Sequence, residues 1–405
     1  MNLEEVANKV IEKYQKKLLN GQTMITAIIE PVSRCNLACK YCAANAWYNR
    51  PPFKVISKKV IDDFIEKLSD YAIRNRVYGE LLMHGYEPLQ AGIETFAYVQ
   101  DKAKETGLDQ YFRFGTQTNG VLINDEWADF FYKNGWGVGV SIDGPKEYHD
   151  ANRVFPNGKG TYDLAMRGAL LLKEKFGHFP GIISVITKAH TKPSIDDAVQ
   201  KYYQWLEKYN IKSALLHWAS WDPRNPHIKE YVMTPEETKE WFIKMYNLWK
   251  NKDDGRRIGP YFMIVEAMIR GRARFGSCFL RNGCWKVIGI DHNGTVHLCD
   301  RWSYVMKPIS QYKKFEDIFK DPEMKKQALR AYMLRNYDPH CKNCKYFNIC
   351  QGGCTNEGLG RYYLTKEGIR GVPQWTRTQF CEVYKALFAA IERDLKKRGV
   401  PLRFS

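Results

Sequence analysis

Two periodicities take turns along the first 240 residues of this 405-residue chain. Residues 1–20 set Val6, Val10, Ile11, Tyr14 and Leu18 at helical spacing, which predicts an amphipathic N-terminal helix. A β-branched run follows, Thr23-Met-Ile-Thr-Ala-Ile-Ile-Glu30, and further short apolar strands are expected at 80–83, 112–118, 137–142, 181–186 and 213–218. Helical patterns fill the intervals, at 58–75, 92–106, 125–134, 162–175 and 195–209. Repeated strand–helix units predict an α/β fold with a parallel sheet and crossover helices. Six of them fit a partial (β/α)6 TIM-like barrel, whose chemistry falls at the C-terminal ends of its strands. The expected order is an N-terminal helix (1–22), the barrel (23–240) and a basic helical bridge (241–275). A small cysteine-rich domain (276–381) and a C-terminal helix and tail (382–405) complete it. Within the small domain, 288–298 reads as a β-hairpin turning at Asn293-Gly294.

Composition narrows the class. A chain with 44% hydrophobic and 14% aromatic residues is globular. It has no apolar run long enough to span a bilayer, and Met1-Asn-Leu-Glu-Glu5 does not read as a signal peptide. A cytoplasmic protein without a membrane partner is expected. Eleven cysteines in a reducing compartment are poor disulfide candidates and good metal ligands. The net charge of +17 comes without a dense basic tract, so solvated lysines and an anionic substrate or electron donor account for it better than nucleic acid.

The chemistry starts at Cys35-Asn-Leu-Ala-Cys39-Lys-Tyr-Cys42. C-x3-C-x2-C lacks the paired halves of a zinc knuckle. Three thiolates on one short loop can hold three irons of a [4Fe–4S] cube and leave the fourth open. With Tyr41 before its last cysteine, the loop resembles the signature of radical S-adenosylmethionine (SAM) enzymes. Later motifs extend the resemblance. His84-Gly85-Tyr86-Glu87-Pro88 is similar to that family's Gly-Gly-Glu-Pro, with Tyr86 in place of the second glycine. Thr116-Gln-Thr-Asn-Gly120, Ser141-Ile-Asp-Gly-Pro145 and Tyr148-His-Asp-Ala-Asn-Arg153 follow in order. The resemblance implies SAM contacts from Tyr41, Gly85, Glu87, Gln117, Asn119, Ser141, Asp143 and Arg153.

Eight more cysteines follow as Cys278-x5-Cys284, Cys299, Cys341-x2-Cys344-x5-Cys350-x3-Cys354 and Cys381. A zinc ribbon is the structural rival, and it fails on cysteine number and on the absence of a histidine at finger spacing. The arrangement resembles the SPASM extension of radical SAM maturases, which carries two auxiliary [4Fe–4S] clusters. That resemblance implies Cys278, Cys284, Cys299 and Cys354 for one cluster and Cys341, Cys344, Cys350 and Cys381 for the other. With Cys278 as a free thiol instead, the nearer cluster would keep an open iron. The loop from Thr355 to Phe380, with Tyr362, Tyr363 and Trp375, reads as a substrate contact or an insertion.

An enzyme built this way takes one electron from an external donor such as flavodoxin or ferredoxin and cleaves SAM. The resulting 5′-deoxyadenosyl radical abstracts a hydrogen. Two closed clusters favour a net two-electron oxidation, or cross-link formation, over a redox-neutral rearrangement. Within the family the chain is most similar to anaerobic sulfatase-maturing enzymes, strongest through 116–127 and 141–146. Those enzymes oxidise a Cys or Ser of a protein substrate to formylglycine, and an aspartate after the cysteine that matches Cys299 deprotonates it; here that residue is Asp300. Its rival role is to pair with Arg301 or tune the cluster. Ala43-Ala44, Tyr86 and the long Cys354–Cys381 gap depart from the pattern. They keep open a ribosomal-peptide maturase making thioether or carbon–carbon cross-links, and a small-molecule oxidase. The short stretch before Cys35 leaves no room for a leader-binding domain, which counts against the cross-linking alternative. An iron–sulfur electron carrier or nucleic-acid-binding protein is the reading from another class, and neither has a use for an open-site loop on a barrel.

Overall fold

A computed structural model describes residues 2–42, 52–221, 226–252, 254–271, 280, 284–299, 305–354, 357, 363–365, 368–370 and 377–404. Seven strands, β1 (Ile25–Ile29), β2 (Gly79–Met83), β3 (Phe112–Thr118), β4 (Gly137–Ser141), β5 (Gly181–Ile186), β6 (Ser213–Trp218) and β7 (Arg257–Gly259), run parallel in chain order. Every residue of β1 is buried, the mark of a central strand covered on both faces. The outer strands alternate instead. In β5, Ile182, Ser184 and Ile186 are buried and the residues between them are only partly so.

Crossover helices α2 (Lys58–Asn75), α3 (Ile93–Glu105), α4 (Asp125–Lys133), α5 (Lys146–Asn152), α6 (Tyr162–Phe176) and α7 (Ile195–Lys208) separate the strands. Their starts follow local chemistry. Ser57, Asn124 and Ser194 each accept a hydrogen bond from a first-turn N–H, and Asp196 and Asp197 complement the α7 dipole. The N-terminal helix α1 (Leu3–Leu19) buries Ile11, Tyr14 and Leu18 in the main core and lies against α10 (Pro322–Tyr337), where Val6 and Ala7 pack beside Leu329.

The second half differs from expectation in two ways. The bridge is not wholly helical: between α8 (Pro235–Lys252) and α9 (Tyr261–Arg270) it adds β7 to the edge of the barrel sheet. The hairpin is not walled off in its own domain. Its first strand, β8 (Val287–Ile290), pairs in parallel with β1, and β9 (Thr295–Leu298) and β10 (Val305–Pro308) continue antiparallel. One ten-stranded sheet, β10-β9-β8-β1-β2-β3-β4-β5-β6-β7, therefore joins both halves. The exposed edge of β1 is what the apolar hairpin covers, since an unpaired central strand would leave its backbone polar groups unsatisfied. At the other end, Trp218 of β6 packs on Phe380 and Tyr384, docking the C-terminal helix Cys381–Lys397 against the barrel.

Candidate functional site

Cys35, Cys39 and Cys42 lie on the loop that leaves the C-terminal end of β1. The loop is held by backbone bonds to the α5 region, Ala38 N–H to Val154 O at 2.7 Å and Lys40 N–H to Asn152 O at 3.0 Å. All three thiols are partly buried. Burial pushes the Cys39 thiol up to about 12 and Cys35 well above its usual range. Such a set is uncomfortable as bare thiolates and suited to a cationic centre that takes several soft anions at once.

The neighbouring strand ends brace this loop. Asp143, after β4, is fully buried; it accepts from Tyr41 Oη at 2.5 Å and from the Val185 N–H at 2.8 Å. The Arg153 Nε stands 3.0 Å from the same carboxylate, and its guanidinium carbon lies 5.5 Å from the Tyr41 ring centre. Burial alone works against the Arg153 cation, and the Asp143 carboxylate together with Tyr41 and Cys39 more than offsets it. Glu87, also fully buried, accepts from Thr118 Oγ1 at 2.6 Å, the Asn119 N–H at 2.8 Å and the Leu89 N–H at 3.2 Å. Burial raises its carboxyl to about 7 and these three donors pull it back. Asn119 in turn donates to Asn36 Oδ1 at 2.8 Å and approaches Cys35 Sγ at 3.8 Å. Gln117 donates to Ser141 Oγ at 2.9 Å.

The eight residues expected to touch SAM thus come together at one end of the barrel, but several engage one another. Asp143, Arg153 and Tyr41 form a closed triad, and Glu87 secures the turn after β3. The reason is burial: a charge kept from water needs partners inside the protein. Gly85 has a different task. Its φ is 89° and a Cβ there would stand 2.7 Å from Glu30 Cγ. Tyr86 also has a left-handed backbone, at φ 53°, a conformation that a glycine adopts without strain.

Glu30 is a residue that sequence reasoning missed. It ends β1 fully buried, with its Oε1 3.6 Å from His297 Nε2 on β9. The other ring nitrogen of His297, Nδ1, lies 2.9 Å from the carbonyl of Cys299, itself at φ 74°. One carboxylate and one imidazole so connect the Gly85 turn to Cys299, the first cysteine of the second set whose side chain is described. The available signal was a charge closing an apolar strand.

In the second half, Cys341, Cys344, Cys350 and Cys381 line one cavity with Phe347, Tyr384 and Phe388. Cys354 is not among its lining residues. Burial raises the Cys341 and Cys350 thiols to about 12. Among the described residues no three His, Cys, Asp or Glu converge tightly enough for a single metal ion. A cube makes another demand, one thiolate per iron around a central space, which four cysteines about a cavity can meet. Cys278, Asp300, Ala43-Ala44 and most of 355–376 lie outside the described residues, as does the side chain of Cys284.

The radical SAM superfamily model matches residues 29–201, and the model of an iron–sulfur cluster-binding domain, SPASM, matches 278–345. The chain carries a radical SAM domain followed by a SPASM domain. The cysteine-type anaerobic sulfatase-maturating enzyme of Clostridium novyi (strain NT) is 26% identical over 389 residues, covering 92% of this chain and 96% of the relative. The serine-type enzyme of Bacteroides thetaiotaomicron is 25% identical over 364 residues, covering 85% of each. The solved structure of native anSMEcpe with bound AdoMet superposes with a TM-score of 0.75 at 22% identity, covering 92% of this chain and 98% of that one. The same protein with AdoMet and the Cp18Cys peptide gives 0.75 at 21%, covering 93% and 99%. These superpositions establish the shared radical SAM/SPASM fold. Iron–sulfur clusters and SAM are the cofactors of that family. No described helix is long and apolar enough to cross a membrane.

Proposed function

We propose that this radical SAM/SPASM maturase oxidises a Cys or Ser side chain of a protein substrate to formylglycine. The observation that carries the reading is the division of the cysteines: three on a loop at the strand ends, four around a separate cavity under the C-terminal helix. Three ligands leave one iron open to chelate SAM, and four close a cluster to everything but electrons. When bound, the first cluster with SAM supplies one-electron cleavage of a carbon–sulfur bond and, through it, hydrogen abstraction. The chain's own residues frame that event. Asp143, Arg153 and Tyr41 fix the cysteine loop against β4 and β5, Glu87 fixes the turn at Asn119, and their burial keeps water from the reacting centre. Cys35, Cys39 and Cys42 would hold the SAM cluster, with Gly85, Gln117, Asn119 and Ser141 beside SAM. Cys341, Cys344, Cys350 and Cys381 would hold one auxiliary cluster, and Cys278, Cys284, Cys299 and Cys354 the other. Asp300 would take the thiol or hydroxyl proton of the substrate, and an external one-electron donor would supply the reducing electron. The two sulfatase-maturating relatives span nearly the same length, which supports a protein substrate.

The test is anaerobic incubation of reconstituted protein with SAM, dithionite and a sulfatase-motif Cys peptide, read by mass spectrometry. An aldehyde product that disappears in Asp300→Asn is expected. SAM cleaved with the peptide unchanged would overturn the sulfatase reading and leave the radical chemistry standing.

A further inference from the structure

Arg330 of α10 is fully buried, an unusual place for a guanidinium. Its Nη1 donates to the carbonyls of Gln351 at 3.3 Å and Gly353 at 3.0 Å, and its Nη2 to that of Gly352 at 2.9 Å. Those three residues are the whole link between Cys350 and Cys354. They are also three successive left-handed residues, at φ 48°, 92° and 73°. L-residues avoid that region at about 1–2 kcal/mol each, so glycines occupy two of the positions and something must hold the arc. A Cβ at Gly352 would collide with Leu334, and one at Gly353 would stand 2.5 Å from Thr378 Cγ2. The arc ties in a third cysteine as well. The Thr378 N–H donates to the Gly352 carbonyl at 2.8 Å, and the Cys381 N–H to the Thr378 carbonyl at 3.3 Å.

The consequence is directional. Cys350 lines the four-cysteine cavity, and Cys354, at the other end of the arc held by Arg330, is not among the residues that line it. We propose that Arg330 is a positioning residue for both auxiliary clusters, shaping the 351–353 arc that sends Cys350 and Cys354 to different sites and placing a fixed positive charge beside them. This rests on the assignment of those cysteines as ligands of two clusters. A methionine could fill the volume, but it has no donor for the three carbonyls, which the guanidinium gathers with the fixed spacing of a planar fork. The charge also lies within Coulombic reach of Cys350. A cluster with four thiolates is an anion that gains further negative charge on reduction, so a neighbouring cation favours the reduced form.

The experiment compares full-length wild type, Arg330→Met and Arg330→Lys after anaerobic reconstitution, reading iron and sulfide per chain, cluster spectra and reduction potentials. Arg330→Met is expected to lose auxiliary clusters, with iron falling to roughly one-third of wild type as only the SAM cluster remains. Arg330→Lys, which keeps the charge but not the fork, is expected to recover part of that iron. Auxiliary clusters that do load in Arg330→Met should have lower potentials than in wild type, and those in Arg330→Lys should not. Full iron with unchanged potentials in Arg330→Met would overturn the proposal. Retained substrate-free SAM cleavage marks a folded barrel; should Arg330→Met fail to fold, the iron content of Arg330→Lys decides, and a full wild-type complement there would overturn the role of the guanidinium fork. The ligand assignment fails separately: Cys350→Ser and Cys354→Ser would then leave iron content and spectra at wild-type values.

Discussion

Replacing Asp143 by Asn probes the frame around the cysteine loop. The carboxylate has no exposure, accepts from Tyr41 and Val185 at 2.5 and 2.8 Å, and pairs with Arg153 Nε at 3.0 Å. An amide keeps the size and one acceptor for Val185 but removes the charge that balances Arg153. Stripping one partner from a buried ion pair costs about 3–5 kcal/mol. The Tyr41 ring beneath the guanidinium offsets about 1 kcal/mol, leaving a loss of about 2–4 kcal/mol. Arg153→Met leaves a carboxylate that keeps its two donors from Tyr41 and Val185, so a smaller loss of about 2–3 kcal/mol is expected. With both replaced, no charge is stranded. The double variant should therefore lose only about 2–3 kcal/mol, a coupling of about 1–5 kcal/mol centred near 3. The assay is urea unfolding of the anaerobic protein at pH 7, followed by circular dichroism, across the full cycle. Losses that add to within about 0.5 kcal/mol would refute the reading of these residues as one charge-balanced unit.

Two further outcomes follow from single positions. Gly85→Ala puts a methyl group at φ 89°, 2.7 Å from a Glu30 side chain backed by His297. SAM affinity in equilibrium dialysis should fall about tenfold or more, and an unchanged affinity would show that this turn can shift freely. His149 is lowered to about 4 by burial, with Arg153 and Lys146 adding to the shift and Asp143 and Asp150 opposing it. Its folded value lies below the ordinary 6.5, so the stability present above pH 6.5 is lost as pH falls toward 4, by at most about 3 kcal/mol. His149→Gln should remove that part of the slope, and identical pH profiles of unfolding free energy for wild type and variant would contradict it.

Much of the barrel was legible because its information is local. Strand and helix positions in the first half follow from periods of two and 3.6, and the helix predicted at 58–75 spans Lys58–Asn75. Cysteine spacing announced the SAM loop in the same local way. Local patterns could not say that β8 pairs with β1, because parallel pairing joins segments some 260 residues apart and leaves no mark in either. Nor could they show Arg330 as buried; in a helix with Lys325, Lys326 and Arg335 it reads as one more surface cation.

The sequence by itself determined which elements form and which residue types carry the chemistry, since both depend on neighbours a few positions away. The tertiary structure alone decided which of those residues meet. It joined Glu30 to His297, closed the Tyr41–Asp143–Arg153 triad, and set Arg330 over the Cys350–Cys354 arc. These are pairings of buried charge, and burial is a property of the assembled fold: the same side chain that water would solvate on the surface must find its partner across the core.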